Sequence, residues 1–272
     1  MLNFNTISLI IKNTIEKEWR SKALISLMIM TIVSVFLMGS MISLTKEFLV
    51  SSFSIDVVGD KSLAIFFIFT SFWSSLLATY FGVSTAATDR ESGVAMQLLS
   101  FPVSRLEYLV GRVLGCFCVV AIYYICASLL GMSGVSLSTG TWVGTTQVLW
   151  AVFLNSFVWL AVCSLSLFVG LYLNRLSGFI TLIIIQIFGS SSYSYFSINK
   201  LSTVTEDFTI YKGFGALFYT LLPHTPYWSL LVNTKLFSPE EFEPKLNELI
   251  HYGATFCFLF ACMWFFFKKK EV

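Results

Sequence analysis

The chain has 272 residues, of which 56% are hydrophobic and only 12% are charged, and its formal net charge is +2. A typical soluble domain carries about 25% charged residues, and this chain's mean hydropathy is +0.80. Such a composition excludes an ordinary water-soluble domain, because water would meet more apolar surface than one core can hide.

The N-terminal stretch Asn5 to Arg20 places Ile7, Ile10, Ile11, Thr14, Ile15 and Trp19 at helical intervals, with Lys12, Glu16, Lys17 and Arg20 elsewhere. This pattern predicts an amphipathic helix at a membrane surface. It serves either as a simple anchor or as a docking helix beside a cytoplasmic partner. The first long apolar run begins near residue 23 and has the length of a true span, so the start does not read as a cleavable signal peptide.

Spans are expected at about Ala23–Thr45, within Ser62–Thr88, at Val113–Val135, Gln147–Leu173, Leu176–Ile198 and Leu249–Phe267. At a rise of about 1.5 Å per residue each can cross a core of roughly 30 Å. The third and fourth divide residues 113–174, which contain no Asp, Glu, Lys or Arg, with a polar turn at Ser136–Thr146 between them. Charge at mid-bilayer is expensive, and this run avoids it. The Phe66–Phe69 and Phe265–Phe267 runs read as lipid-facing or packing groups, and Asn155 and Gln186 as hydrogen-bond links between helices or as the lining of a path.

Cations set the orientation. Lys12, Lys17, Arg20, Lys22, Arg90, Arg105, Arg112, Arg175 and Lys268–Lys270 form the larger set, and Lys46, Lys61, Lys200, Lys212, Lys235 and Lys245 the smaller. Placing the larger set inside puts both termini in the cytoplasm. Residues 213–234 are uncharged and long enough for a seventh span. Pro223 and Pro226 flank His224 in the middle and favour a re-entrant or interfacial hairpin on the outer face.

The segment after the second span carries Asp89, Arg90 and Glu91, and then Gly93, which permits a sharp backbone change. Met96, Leu98 and Leu99 follow as a short apolar surface. Pro102 halts that helix, and Ser104 with Glu107 forms a capping box for the next one. The plain reading is an interfacial turn. The stronger one is a short helix across the cytoplasmic face, hinged at both ends.

These residues resemble the permease subunits of ABC-2 type ABC transporters. The resemblance rests on Glu91-Ser92-Gly93, Leu98-Leu99, Pro102-Val103-Ser104-Arg105, Tyr108-Leu109 and Gly111-Arg112, where Arg112 replaces the more usual Lys. The specific match is confined mainly to residues 89–112, whereas the layout matches over nearly the whole chain. The resemblance implies an all-α polytopic membrane protein with six spans. It implies one transmembrane domain over residues 1–272: an interface helix (1–22), five spans (23–198), an outer loop with short helices (199–248), a sixth span (249–267) and a cytoplasmic tail (268–272).

By this resemblance Asp89, Arg90, Glu91, Gly93, Leu98, Leu99, Pro102, Ser104, Arg105, Tyr108 and Arg112 form the coupling segment that fits a cleft in an ATP-binding subunit. Ile11, Ile15, Trp19 and Arg20 belong to the interface helix. The sequence has no Gly-x-x-x-x-Gly-Lys-Ser/Thr phosphate loop, so ATP and Mg belong to a separate ATPase. The expected partners are two ATPase copies, a second permease or a homologue, membrane lipid and an extracytoplasmic accessory protein; nucleic acid is not expected. The implied setting is the bacterial inner membrane and the implied activity is export. A non-transport scaffold or sensor, or a lipid-handling or protein-maturation complex, is the alternative. The cysteines fall in apolar runs and read as small buried hydrophobes, and His224 and His251 do not read as a metal site.

Overall fold

The computed structural model describes residues 3–20, 58–139, 145–199, 209–237 and 242–269, with a few positions between 25 and 33. The side chains of 58–65, Leu99 and several residues bordering 140–144 are not among those described. The expected first span therefore lies largely outside the described residues; of the expected Ser136–Thr146 turn, residues 140–144 do too, whereas 136–139 and 145–146 are helical.

Among the described residues the regular elements are all helices: α1 (Phe4–Arg20), α2 (Val58–Glu91), α3 (Val94–Ser100), α4 (Arg105–Thr139), α5 (Thr145–Gly170), α6 (Arg175–Ile198), α7 (Ile210–Leu221), α8 (Thr225–Phe237) and α9 (Leu246–Lys269). Five are long and apolar enough to cross a membrane, namely α2, α4, α5, α6 and α9. The chain is a polytopic helical membrane protein. A helix satisfies its own backbone groups, which is what a bilayer demands of any segment that crosses it.

One helix end differs from expectation: α2 continues to Glu91, so Asp89 and Arg90 belong to its last turn rather than to a loop. α4 starts at Arg105, directly after the expected Ser104 cap, and runs unbroken into the third span, which brings Arg112 inside a helix. Both ends have local causes. Gly93 takes a left-handed φ of 72° just after α2, and Ser104 with Glu107 caps α4 as described below. Residues 213–234 form parts of two helices, α7 and α8, which part at Leu222–His224 where Pro223 denies a backbone donor.

α5 forms the axis, with α2 and α4 packed along it, α8 against it, and α7 against α6. The core holds Trp159, Tyr123, Tyr124, Phe67 and Phe81, all fully buried. Polar threads tie the helices through it. Asn155 Nδ2 donates to Ser71 Oγ at 3.0 Å and to the Tyr124 hydroxyl at 3.1 Å. Trp159 Nε1 donates to Ser74 Oγ at 2.9 Å, and Gln186 Nε2 to Thr79 Oγ1 at 2.7 Å. Asn155 and Gln186 thus join helices, the packing role read from the sequence.

The Phe runs divide. Phe66, Phe67 and Phe267 are buried, whereas Ile68, Phe265 and Phe266 face outward. The cysteines are free, with Cys116 and Cys163 buried as expected, but Cys257 lies exposed on α9 because that helix buries only one narrow stripe.

α2 and α5 approach closely at Gly82, where a Cβ would strike Ser166 and come within 3.2 Å of the Cys163 carbonyl. Small residues permit such contact in membranes, where packing rather than hydrophobic exclusion drives association. Gly82→Leu should insert normally but lose about 1–3 kcal/mol of bundle stability by overpacking. A lowered thermal midpoint in detergent at unchanged membrane yield is the expected result.

Candidate functional site at the convergent helix ends

The C-terminal ends of α2, α5 and α9 meet the N-terminal ends of α4 and α6. Arginines satisfy carbonyls there that no helix turn can reach. Arg90 donates from Nη1 to the Leu171 carbonyl and from Nη2 to the Leu173 carbonyl, each at 3.2 Å, and also to Asn174 Oδ1. Arg105 Nη1 donates to the carbonyls of Phe267 and Lys268, each at 2.7 Å, and its guanidinium lies over the Phe267 ring. Arg175 pairs with Glu91 at 3.3 Å on the surface.

Beneath them sits a buried ionic cluster. Arg112 Nη2 lies 2.7 Å from Asp89 Oδ2, and both side chains are almost fully enclosed. This approach is an ion pair whose N–H direction is off the line of a hydrogen bond. The Tyr108 hydroxyl donates to the same oxygen at 2.9 Å, and Lys17 Nζ reaches Asp89 Oδ1 at 3.1 Å. Arg112 Nη1 donates to Thr14 Oγ1 at 2.8 Å and to Asn13 Oδ1 at 3.1 Å. Thr85 Oγ1 donates to Glu18 Oε1 at 3.2 Å. Three helices, α1, α2 and α4, are therefore joined through charge.

α1 can reach this cluster because α4 presents glycine to it. A Cβ on Gly111 would lie 2.8 Å from Ile10, and one on Gly115 would lie 2.6 Å from Thr14 Cβ. The buried stripe of α1 is Ile7, Ile10, Thr14 and Glu18. Ile11 and Ile15 are half-buried, whereas Trp19 and Arg20 are exposed, so Glu18 rather than Trp19 completes the stripe.

Burial pushes the Glu18 carboxyl above the ordinary carboxylate value, partly offset by Lys17, the Thr85 hydroxyl and Arg112. A carboxyl raised on folding stabilises fully below its unfolded value, and that contribution is lost as pH rises through the folded one.

α3 hangs between two fixed ends. On one side Gly93 turns the chain after α2. On the other, the Ser104 amide donates to Glu107 Oε2 at 2.8 Å and the Glu107 amide to Ser104 Oγ at 3.2 Å, a reciprocal capping box. Glu107 Oε1 also accepts the Asn3 amide at 2.6 Å, which ties α1 to the same joint.

α3 ends before Phe101 and Pro102, both exposed. On α3, Ala95 is buried and Leu98 leans inward against Tyr108 and its neighbours. Met96 and Phe101 point out, 59% and 64% exposed. Among the described side chains the outward apolar pair is therefore Met96 and Phe101, and Leu98, expected to share that surface, does not. Leu98 faces inward because α3 buries its own narrow stripe.

Sequence patterning did not expose the role of Glu18. The available signal was a carboxylate four residues beyond Thr14, on the stripe of Ile7 and Ile10. The structure also brings His224 against Glu248, 24 positions further along the chain, and against His251 on the same helix as Glu248. No protein-family model matches the chain, and no curated protein matches it.

The cluster yields two expected outcomes. Asp89→Leu strands a buried guanidinium and should cost about 3–5 kcal/mol, whereas Asp89→Leu with Arg112→Met should recover most of it. Thermal unfolding in detergent measures both. Glu18→Gln should match or exceed the parent protein near about pH 8, where the parent must keep a buried carboxylate charged, and the gap should close toward about pH 5.

Proposed function

We propose that this chain is the membrane-spanning permease subunit of an ATP-driven transporter of the ABC-2 type, acting as an exporter. The observation that carries this reading is α3. It is a two-turn helix gripped at Gly93 and at the Ser104–Glu107 box, with Met96 and Phe101 exposed on the charged end of the bundle. That is the form of a part that docks on another protein and passes its displacement inward. The segment also carries the residues on which the family resemblance rests.

In this reading a separate ATPase holds ATP and Mg, since this chain has no phosphate loop. Closure of the ATPase pair displaces α3. The Asp89–Arg112 clamp makes α1, α2 and α4 follow as one unit, so a shift at the surface becomes a tilt of spans. Nucleotide need only favour one of two packings. A second permease or a homologue completes the path, and two ATPase copies dock below. The resemblance places the assembly in a bacterial inner membrane, with both termini on the ATPase side. An accessory protein beyond the membrane is a further partner in some such assemblies.

A scaffold or sensor is the second reading. The observation favouring it is the clamp itself, because a dense buried joint also suits a static membrane platform. Nucleotide dependence separates the two.

Met96→Asp and Phe101→Asp alter only exposed side chains, so membrane level should hold. Each should lower ATPase stimulation or transport in the reconstituted complex by about tenfold or more, the loss typical of an interface anchor. Undiminished coupling in both would remove α3 from the docking surface. Glu91→Ala with Arg105→Ala should also reduce coupling. Because Arg105 holds the end of α9, that result counts only where the thermal midpoint is unchanged. Binding of the ATPase without any nucleotide-dependent change would favour the scaffold.

A further inference from the structure

At the opposite end of the bundle, α7 and α8 meet over the first turns of α9. Arg105 marks the C-terminal end of α9, and His251 lies near the N-terminal end, roughly 24 Å away at about 1.5 Å per residue.

His224 is buried at the joint. Its Nε2 lies 2.8 Å from the Tyr219 carbonyl and its Nδ1 lies 2.6 Å from Glu248 Oε2. A carbonyl only accepts, so Nε2 carries a proton. A carboxylate at 2.6 Å from Nδ1 requires a second proton between the two atoms; without it two lone pairs would face each other. The His224–Glu248 pair therefore holds one proton more than a neutral imidazole beside a free carboxylate, and is neutral as a unit.

The His251 ring stacks on His224, with centroids 3.7 Å apart and planes 19° from parallel. The Thr220 backbone lies beside His251, but neither ring nitrogen makes a well-formed hydrogen bond.

The surroundings hold little to balance further charge. Among the described residues the titratable groups facing the stack are Glu248 from α9, Tyr219 from α7 and Tyr193 from α6. Tyr227 of α8 lies near Tyr193 and accepts the Lys245 amide at 2.6 Å. α5 offers Ala161, Val162 and Leu165 along the cleft that His224 lines. One carboxylate thus serves two imidazoles. The first proton is matched by Glu248. A second would create two cations face to face within a single ring spacing, in surroundings that screen poorly.

We propose that His224, Glu248 and His251 form an acid-released latch that fastens the joint of α7 and α8 to the first turns of α9. With one shared proton the latch is closed. Uptake of a second proton by His251 opens it and frees the hairpin to move relative to the last long helix. The latch does not depend on the coupling role of α3, because it stands on a separate set of residues at the far end.

Amide hydrogen exchange in the full-length protein in nanodiscs tests this directly. The reporters are the Leu222, Thr225 and Tyr227 amides, which bond the Phe218, Pro223 and His224 carbonyls. Exchange is corrected for the intrinsic effect of pH and referenced to α4. Between about pH 7.5 and about pH 5, opening of this segment should increase, approaching about tenfold per pH unit where one proton is coupled to it. His251→Phe keeps a stacked ring without a titrating nitrogen and should show no such rise. His251→Gln provides the same comparison where the first variant does not fold, and the parent titration decides by itself if neither does. A flat parent profile, or an acid-induced rise equal to the parent's in a folded His251 variant, overturns the latch.

Discussion

Arg112 and Asp89 are the pair around which one end of this molecule is arranged. A guanidinium removed from water costs several kcal/mol unless its charge and its donors are met, and in a membrane bundle no bulk water is at hand to relieve it. The chain meets that demand from three directions. α2 supplies the countercharge through Asp89. α1 supplies Thr14 and Asn13 as acceptors. Tyr108, from α4 itself, shares the Asp89 oxygen. The glycines at 111 and 115 follow from the same demand, since α1 must lie nearly on the backbone of α4 to reach it.

The surrounding arginines do different work. Arg90 and Arg105 end helices, each holding the last carbonyls of another element, α5 and α9. Together with the buried pair they make the charged end a stiff plate. α3 is suspended from its edge. Met96 on this helix and Phe101 just past its end are outward apolar side chains. The helix is held at Gly93 and at the Ser104–Glu107 box, and the proposed docking role rests on that anchoring together with this exposure.

The two ends of the bundle contrast in chemistry. At the Asp89 end, opposite charges are matched by several donors and acceptors. At the His224 end, one carboxylate pairs with the first of two stacked imidazoles. The first arrangement holds helices together through ionisation, while the second holds only for a limited number of protons. Between them the core is apolar, crossed by single hydrogen bonds such as that from Trp159 to Ser74. Among the described residues, buried charge is thereby kept to the two ends of the bundle.

By itself the sequence determined the membrane class, through the long uncharged run at 113–174 and spans of bilayer length. It also showed the break at Pro223, the turn at Gly93 and the Ser104–Glu107 cap, because these are local effects set by a few neighbouring residues. The pairing of Asp89 with Arg112 spans 23 positions, and that of Glu18 with Thr85 spans 67. Periodicity records which face of a helix is apolar and says nothing about which distant charge will lie across from it. Only the tertiary structure decided that Glu18 is buried while Trp19 is exposed, that Leu98 turns inward while Phe101 faces out, and that a histidine in the break between α7 and α8 stacks on one from α9. Each of those outcomes depends on the relative rotation and depth of packed helices, and many side chains set these jointly where no single segment can.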